Sequence, residues 1–119
     1  MVTTNQSAQS AAANADAATT LAIDIGGSGT KVILLDSSGQ PLGERARLKT
    51  PSPATPDAVM ATIEKLVADQ PPFDRVSVGF PGVVRCGVVY TAVNLTKAWV
   101  GYPLADPLSQ RLKRPVTVA

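Results

Sequence analysis

Leu21-Ala22-Ile23-Asp24-Ile25 runs straight into Gly26-Gly27-Ser28-Gly29, and from Thr30 to Leu35 the sequence is apolar and β-branched again. A short strand, a turn of small residues and a second strand predict a β-hairpin, because so few residues connect only antiparallel neighbours. Asp36-Ser37-Ser38-Gly39 is a second turn signal, and Pro41 to Lys49 follows as the expected third strand of the same meander. On that strand Arg45, Arg47 and Lys49 fall on one face by the period of two.

The pattern changes at Thr50-Pro51-Ser52-Pro53-Ala54-Thr55-Pro56. Thr55 before Pro56 and Asp57 reads as a helix cap with proline in the first turn, and a helix is expected from there to about Asp69. Val59, Met60, Ile63, Leu66 and Val67 recur at three- and four-residue spacing and give it one buried face. Arg75 to Phe80 reads as a buried strand, Pro81-Gly82 as a turn, and Val83-Val84 with Val88-Val89-Tyr90 as two short strands around Cys86-Gly87. Leu104 to Leu112 is a second expected helix, and Val116-Thr117-Val118 begins a last strand. No internal repeat is evident. A meander followed by helix-linked strands predicts an α/β fold, a mixed sheet with helices on its faces, since helical crossovers join parallel strands.

Bulk properties narrow the function. The chain has 119 residues, enough for one core, so a single domain is the ceiling. A formal charge of +2 gives no large one-signed field, so neither nucleic acid nor an anionic membrane is an expected partner. With one cysteine, Cys86, and no histidine, a disulfide framework and a Cys/His zinc site are excluded within these residues, and a cytoplasmic setting is expected. Residues 1–20 are mostly Ala, Thr, Ser, Asn and Gln, too polar to offset the entropy of ordering, and are expected to form a disordered tail without the features of a signal peptide.

Two stretches can carry chemistry. In Asp24-Ile25-Gly26-Gly27-Ser28-Gly29-Thr30-Lys31 a carboxylate precedes a loop whose small residues let backbone N–H groups reach phosphoryl oxygens. Gly26, Gly27, Ser28, Gly29, Thr30 and Lys31 are the candidate phosphate-binding residues, and Asp24 is the candidate for Mg²⁺, directly or through its water shell. The spacing is neither that of a Walker loop nor that of the dinucleotide fingerprint. A plain Gly-rich hairpin turn with a solvated Asp24 accounts for the same eight residues. The second stretch is Gly79-Phe80-Pro81-Gly82, then Asn94-Leu95-Thr96-Lys97-Ala98-Trp99. Asn94 and Lys97 supply the mixed hydrogen-bonding groups that a polyhydroxylated ligand needs. Phe80 and the valines read as core, Pro81-Gly82 as a turn, and Trp99 as a packing anchor before a sugar platform. Asp36, Asp57, Asp69, Asp74 and Asp106 fall in turns or at helix ends, where capping or solvated roles are the better reading than catalysis.

Taken together in this order, the segments resemble the ROK family of bacterial sugar kinases, from Leu21 to Ala119. Within it, Asp24-Ile25-Gly26-Gly27-Ser28-Gly29 and Lys97-Ala98-Trp99-Val100-Gly101 are similar to the polyphosphate-using glucokinases. The resemblance implies the actin-like ATPase (ribonuclease H-like) fold, with residues 21–119 a truncated amino-terminal domain. It implies glucose phosphorylated at its 6-hydroxyl, Mg²⁺ with polyphosphate or ATP as donor, and a homodimeric full-length parent. It places Pro81, Gly82, Asn94, Thr96 and Lys97 at the substrate, and the catalytic base just after Ala119, so none lies within the chain and the fragment alone is expected to be inactive. Other ROK kinases, for N-acetylmannosamine, fructose or allose, remain alternatives, as do a ROK repressor and a non-catalytic fragment with an exposed apolar face.

Overall fold

The computed structural model of the chain describes residues 17–119. Strands β1 (Thr20–Ile25), β2 (Gly29–Leu35), β3 (Ala46–Lys49), β4 (Arg75–Gly79) and β7 (Val116–Val118) form a mixed sheet in the order β3-β2-β1-β4-β7. β2 runs antiparallel to β1 and β3, whereas β1, β4 and β7 are parallel. Strands β5 (Val84–Arg85) and β6 (Val88–Val89) make a separate antiparallel pair. Helix α1 (Pro56–Ala68) joins β3 to β4, and α2 (Ala105–Leu112) precedes β7.

Alternation along β1 decides which side is core. Leu21, Ile23 and Ile25 are buried with Val32, Leu34, Val76 and Val78, and Val59, Met60, Ile63, Leu66 and Leu108 of the two helices close over them. Each such side chain taken from water contributes about 1.5–3 kcal/mol. Both helices therefore lie on one face of the sheet. The other face carries Ala22, Asp24, Lys31, Ile33, Ser77 and Gly79 and is open in the described residues.

The meander, both helices and the last strand fall where the sequence pattern places them. The third strand is shorter than the expected Pro41 to Lys49. Pro41 makes only an isolated bridge to Leu35, and regular pairing begins at Ala46. Proline offers no N–H to the ladder and Gly43 weakens it, so the chain crosses as a loop and Arg45 lies just before the strand. Residues 1–16 of the expected tail lie outside the described residues. Its last two residues are already engaged: Thr20 opens β1, and the Thr19 N–H and hydroxyl donate to Asp74 at 2.7 and 3.2 Å.

Thr55 caps α1 as expected, its hydroxyl accepting from the Ala58 N–H at 3.2 Å. Thr55→Ala is expected to lower the unfolding free energy by about 1 kcal/mol in a urea titration. A shift of the midpoint to higher urea would contradict the cap.

Candidate active site

The parallel strands β1 and β4 end at one edge of the sheet, and the candidate residues gather there. Gly26 closes the hairpin through its N–H to the Gly29 carbonyl at 3.0 Å, leaving Gly27 and Ser28 at the tip. Among the described residues neither tip N–H has a protein acceptor, so both remain available to an anion. Asp24 is exposed on the open face, with Lys31 directly across from it on β2 and Gly79 beside it on β4. These residues border an open cavity of about 300 Å³ with Ala22, Ile33, Arg45 and Ser77.

The candidate substrate residues reach the same edge by a different route. The Pro81 carbonyl accepts from the Val93 N–H at 2.8 Å, and the Thr91 hydroxyl accepts from the Val83 N–H at 2.9 Å, so the Pro81-Gly82 turn is laced to the segment leading into Asn94. A side chain at Gly82 would run into the Thr91 carbonyl, which explains the glycine. Asn94 takes a positive φ of 62°, a conformation asparagine tolerates better than most residues. This bend brings it against the Gly26-Gly27-Ser28-Gly29 turn: a Cβ built on Gly27 would stand 2.7 Å from the Asn94 Cβ. Thr96 and Lys97 follow, with Lys97 exposed at the start of a 3₁₀ turn, Lys97–Trp99.

Trp99 anchors this loop from beneath. It is fully buried, packs against Phe80 and Tyr102 at ring distances of 5.0 and 5.4 Å, and donates its indole N–H to the Ala54 carbonyl at 2.7 Å. The same carbonyl faces the Thr96 hydroxyl at 3.4 Å. Burial pushes the Tyr102 phenol above its ordinary value.

Not every candidate offers its side chain to a ligand. Thr30 is fully buried, and its hydroxyl pairs with that of Thr50 at 3.0 Å, so the side chain braces the loop from the core side. Thr50, which sequence reasoning did not single out, also donates its hydroxyl to the Gly26 carbonyl at 2.6 Å and its N–H to the Ser28 carbonyl at 3.1 Å. The segment from Thr50 to Ala54 thus holds the candidate phosphate loop at one end and the Asn94 loop at the other. The aspartates set aside as structural are so placed. Asp36 accepts from Gln40 and Ser38, and those bonds hold its carboxyl below the usual range. Asp74 is held low chiefly by the Thr19 N–H. Asp57 and Asp106 sit in first helical turns and Asp69 caps α1.

Among the described residues no three His, Cys, Asp or Glu side chains cluster as a metal cage. A lone exposed carboxylate beside a candidate phosphate loop still fits Mg²⁺, which takes one or two carboxylates and completes its shell with water and substrate phosphates. No helix among the described residues is long and apolar enough to cross a membrane.

Comparison with known proteins gives the family of the chain. Polyphosphate glucokinase of Mycobacterium tuberculosis is 44% identical over 91 residues, which cover 76% of this chain and 34% of that protein. N-acetylmannosamine kinase of Escherichia coli is 39% identical over 100 residues, 82% of this chain and 34% of that one. The chain therefore spans about one third of the length of these curated relatives. Among solved structures, the inorganic polyphosphate/ATP-glucomannokinase of Arthrobacter sp. strain KM superposes with a TM-score of 0.78 at 41% identity, over 85% of this chain and 43% of that one. A ROK glucokinase from Streptomyces griseus, in complex with glucose and AMPPNP, gives 0.74 at 30% identity over 84% of this chain and 32% of that one. The ROK family pattern itself matches residues 20–119, from the first residue of β1 through β7. No element of the described sheet is left outside that match, and the chain belongs to the ROK family, with the actin-like ATPase fold of its sugar kinases.

Proposed function

We propose that the full-length protein is a glucokinase that transfers a phosphoryl group from polyphosphate or ATP to the 6-hydroxyl of glucose. The observation that carries the reading is the contact of Gly27 with Asn94, which sets a loop suited to donor phosphates against a loop suited to a sugar. Such transfer depends on holding donor and acceptor in line more than on covalent chemistry by the protein. The N–H groups of Gly27 and Ser28, with Lys31 nearby, bind the terminal phosphate, while Asn94, Thr96 and Lys97 orient glucose above the Pro81-Gly82 turn. Asp24 would hold Mg²⁺, which when bound neutralises charge on the transferring group. The proton of the attacking hydroxyl goes to a base that follows Ala119. The Ala119 N–H donates to the Val78 carbonyl at 2.8 Å, so the chain leaves β7 at the same edge, beside Phe80 and Pro81. Identity to the mycobacterial polyphosphate glucokinases and to the Arthrobacter glucomannokinase favours this donor and sugar. A cytoplasmic homodimer that engages neither nucleic acid nor membrane completes the proposal.

A coupled assay for glucose 6-phosphate tests it. The full-length protein, dimeric by light scattering, is expected to turn over glucose with one or both donors, and residues 1–119 alone with neither. Turnover by the fragment would place the base within it and refute the assignment after Ala119. Identity to N-acetylmannosamine kinase supports a second reading, and preference for that sugar in the same assay would replace glucose.

A further inference from the structure

We infer that the edge strand β3 and its approach, through Arg45 and Arg47 with Lys49 at the rim, form a track for the distal phosphates of a linear polyphosphate donor. This inference rests on the kinase reading of the adjoining loop. It makes these side chains the ones that set preference between polyphosphate and a nucleoside triphosphate.

The register carries the argument. Arg47 on β3 stands directly opposite Lys31 on β2, on the open face of the sheet. Like charges in directly opposed positions destabilise an antiparallel pair, and an anion lying over both removes the repulsion. No protein carboxylate does so: among the described residues the one ion pair is Arg111 with Glu64, on the helix side. The carboxylates nearest in sequence or register are Asp24, across from Lys31, and Glu44, exposed beside Arg45.

Charges on an edge strand also discourage pairing between sheets. That duty is met by a charge anywhere along the edge, whereas these cations adjoin the phosphate loop. The Arg47 guanidinium lies where a Cβ on Gly29 would stand and donates to the Ser28 carbonyl at 3.4 Å. Arg45 borders the same cavity as Asp24, Lys31 and Gly79. Lys49 follows Arg47 at the register of Gly29, at the end of the edge strand, where it also borders a groove against α1 with Ala58, Ala61 and Lys65. At strand rise, Arg45 to Lys49 covers roughly 13 Å, a row that a chain of many phosphates can follow. A nucleoside triphosphate ends its charge after three phosphates and gains little from the outer cations. Each exposed contact is weak and salt-screened, so the effect resides in the row.

The test compares the full-length enzyme with the Arg45→Gln/Lys49→Gln double variant and with the same variant carrying Arg47→Gln. Long-chain polyphosphate, tripolyphosphate and ATP serve as donors at several salt concentrations. The KM for long-chain polyphosphate is expected to rise tenfold or more in the triple variant, less in the double variant, and to lose most of its salt dependence. The KM values for ATP and tripolyphosphate are expected to change less than twofold in the double variant, which leaves the loop contact of Arg47 intact. An equal rise for all donors, or none for the long chain, overturns the track. A wild-type enzyme that uses ATP and not polyphosphate also overturns it while leaving the kinase reading standing. If neither donor is used, the kinase reading falls. Anisotropy of labelled long-chain polyphosphate then decides the track alone: tenfold weaker binding by the triple variant supports it, and unchanged binding overturns it.

Discussion

Gly27→Ala in the full-length protein is expected to lower kcat/KM for sugar phosphorylation by about a hundredfold with either donor. The added Cβ would stand 2.7 Å from the Asn94 Cβ, closer than real Cβ atoms approach, and a tight 3.3 Å from the Asn94 carbonyl oxygen. Asn94 cannot retreat easily. Its positive φ is set by a loop pinned at Pro81 on one side and at Trp99 on the other. The turn at Gly27 must therefore shift, and if it positions the donor as proposed, a displacement of about 1 Å between reacting groups is enough for a loss of that size. Gly43→Ala is the control, since nothing lies within 4 Å of a Cβ there. Turnover by Gly27→Ala within threefold of wild type would show that the two loops do not set the distance between donor and acceptor. Because the effect strikes both donors alike, it is separable from a loss at β3, which spares ATP.

The second large effect is on stability. Trp99→Ala is expected to cost about 3–5 kcal/mol in denaturant unfolding, because it empties the space between Phe80 and Tyr102 and removes the donor to the Ala54 carbonyl. Trp99→Phe keeps an aromatic ring and loses the hydrogen bond, so its cost should fall nearer about 1–3 kcal/mol. A loss below about 1 kcal/mol for the alanine variant would mean that Trp99 is a ligand platform and not an anchor. That outcome would revive the sugar-stacking role that burial of the ring argues against.

Much of this was legible before any coordinates, and the reasons are local. The step from Ile25 into Gly26-Gly27-Ser28-Gly29 specifies a hairpin by turn chemistry alone, and α1 announces itself through Thr55, Pro56 and an apolar stripe. The end of β3 nearer Pro41 was overread, since a polar run between two turns carries no signal that tells a loop from an edge strand. The site was half visible. Glycines and Asn94 belong to recognisable short patterns, so their roles could be expected one by one. Their meeting could not, because 67 positions separate Gly27 from Asn94 in the chain and only the parallel pairing of β1 with β4 brings their loops together. Thr50 and Ala54 were missed for a related reason. They act through a hydroxyl, an N–H and a carbonyl pointed at loops distant in sequence, within a proline-rich stretch that reads only as a break. Thr30 shows the converse: a hydroxyl of the right type in the right loop faces the core, as strand alternation after Gly29 requires.

The parallel strands β1 and β4 open into their loops at one edge of the sheet, while the packing that holds them lies along their lengths against α1 and α2. The loop residues at that edge and the residues of the hydrophobic core are thereby different sets. A lineage can exchange one sugar for another by altering the connections, with the hydrophobic lattice unmoved. Identity of 41% to a glucomannokinase and 39% to an N-acetylmannosamine kinase, each over most of this chain, is compatible with such a division of labour.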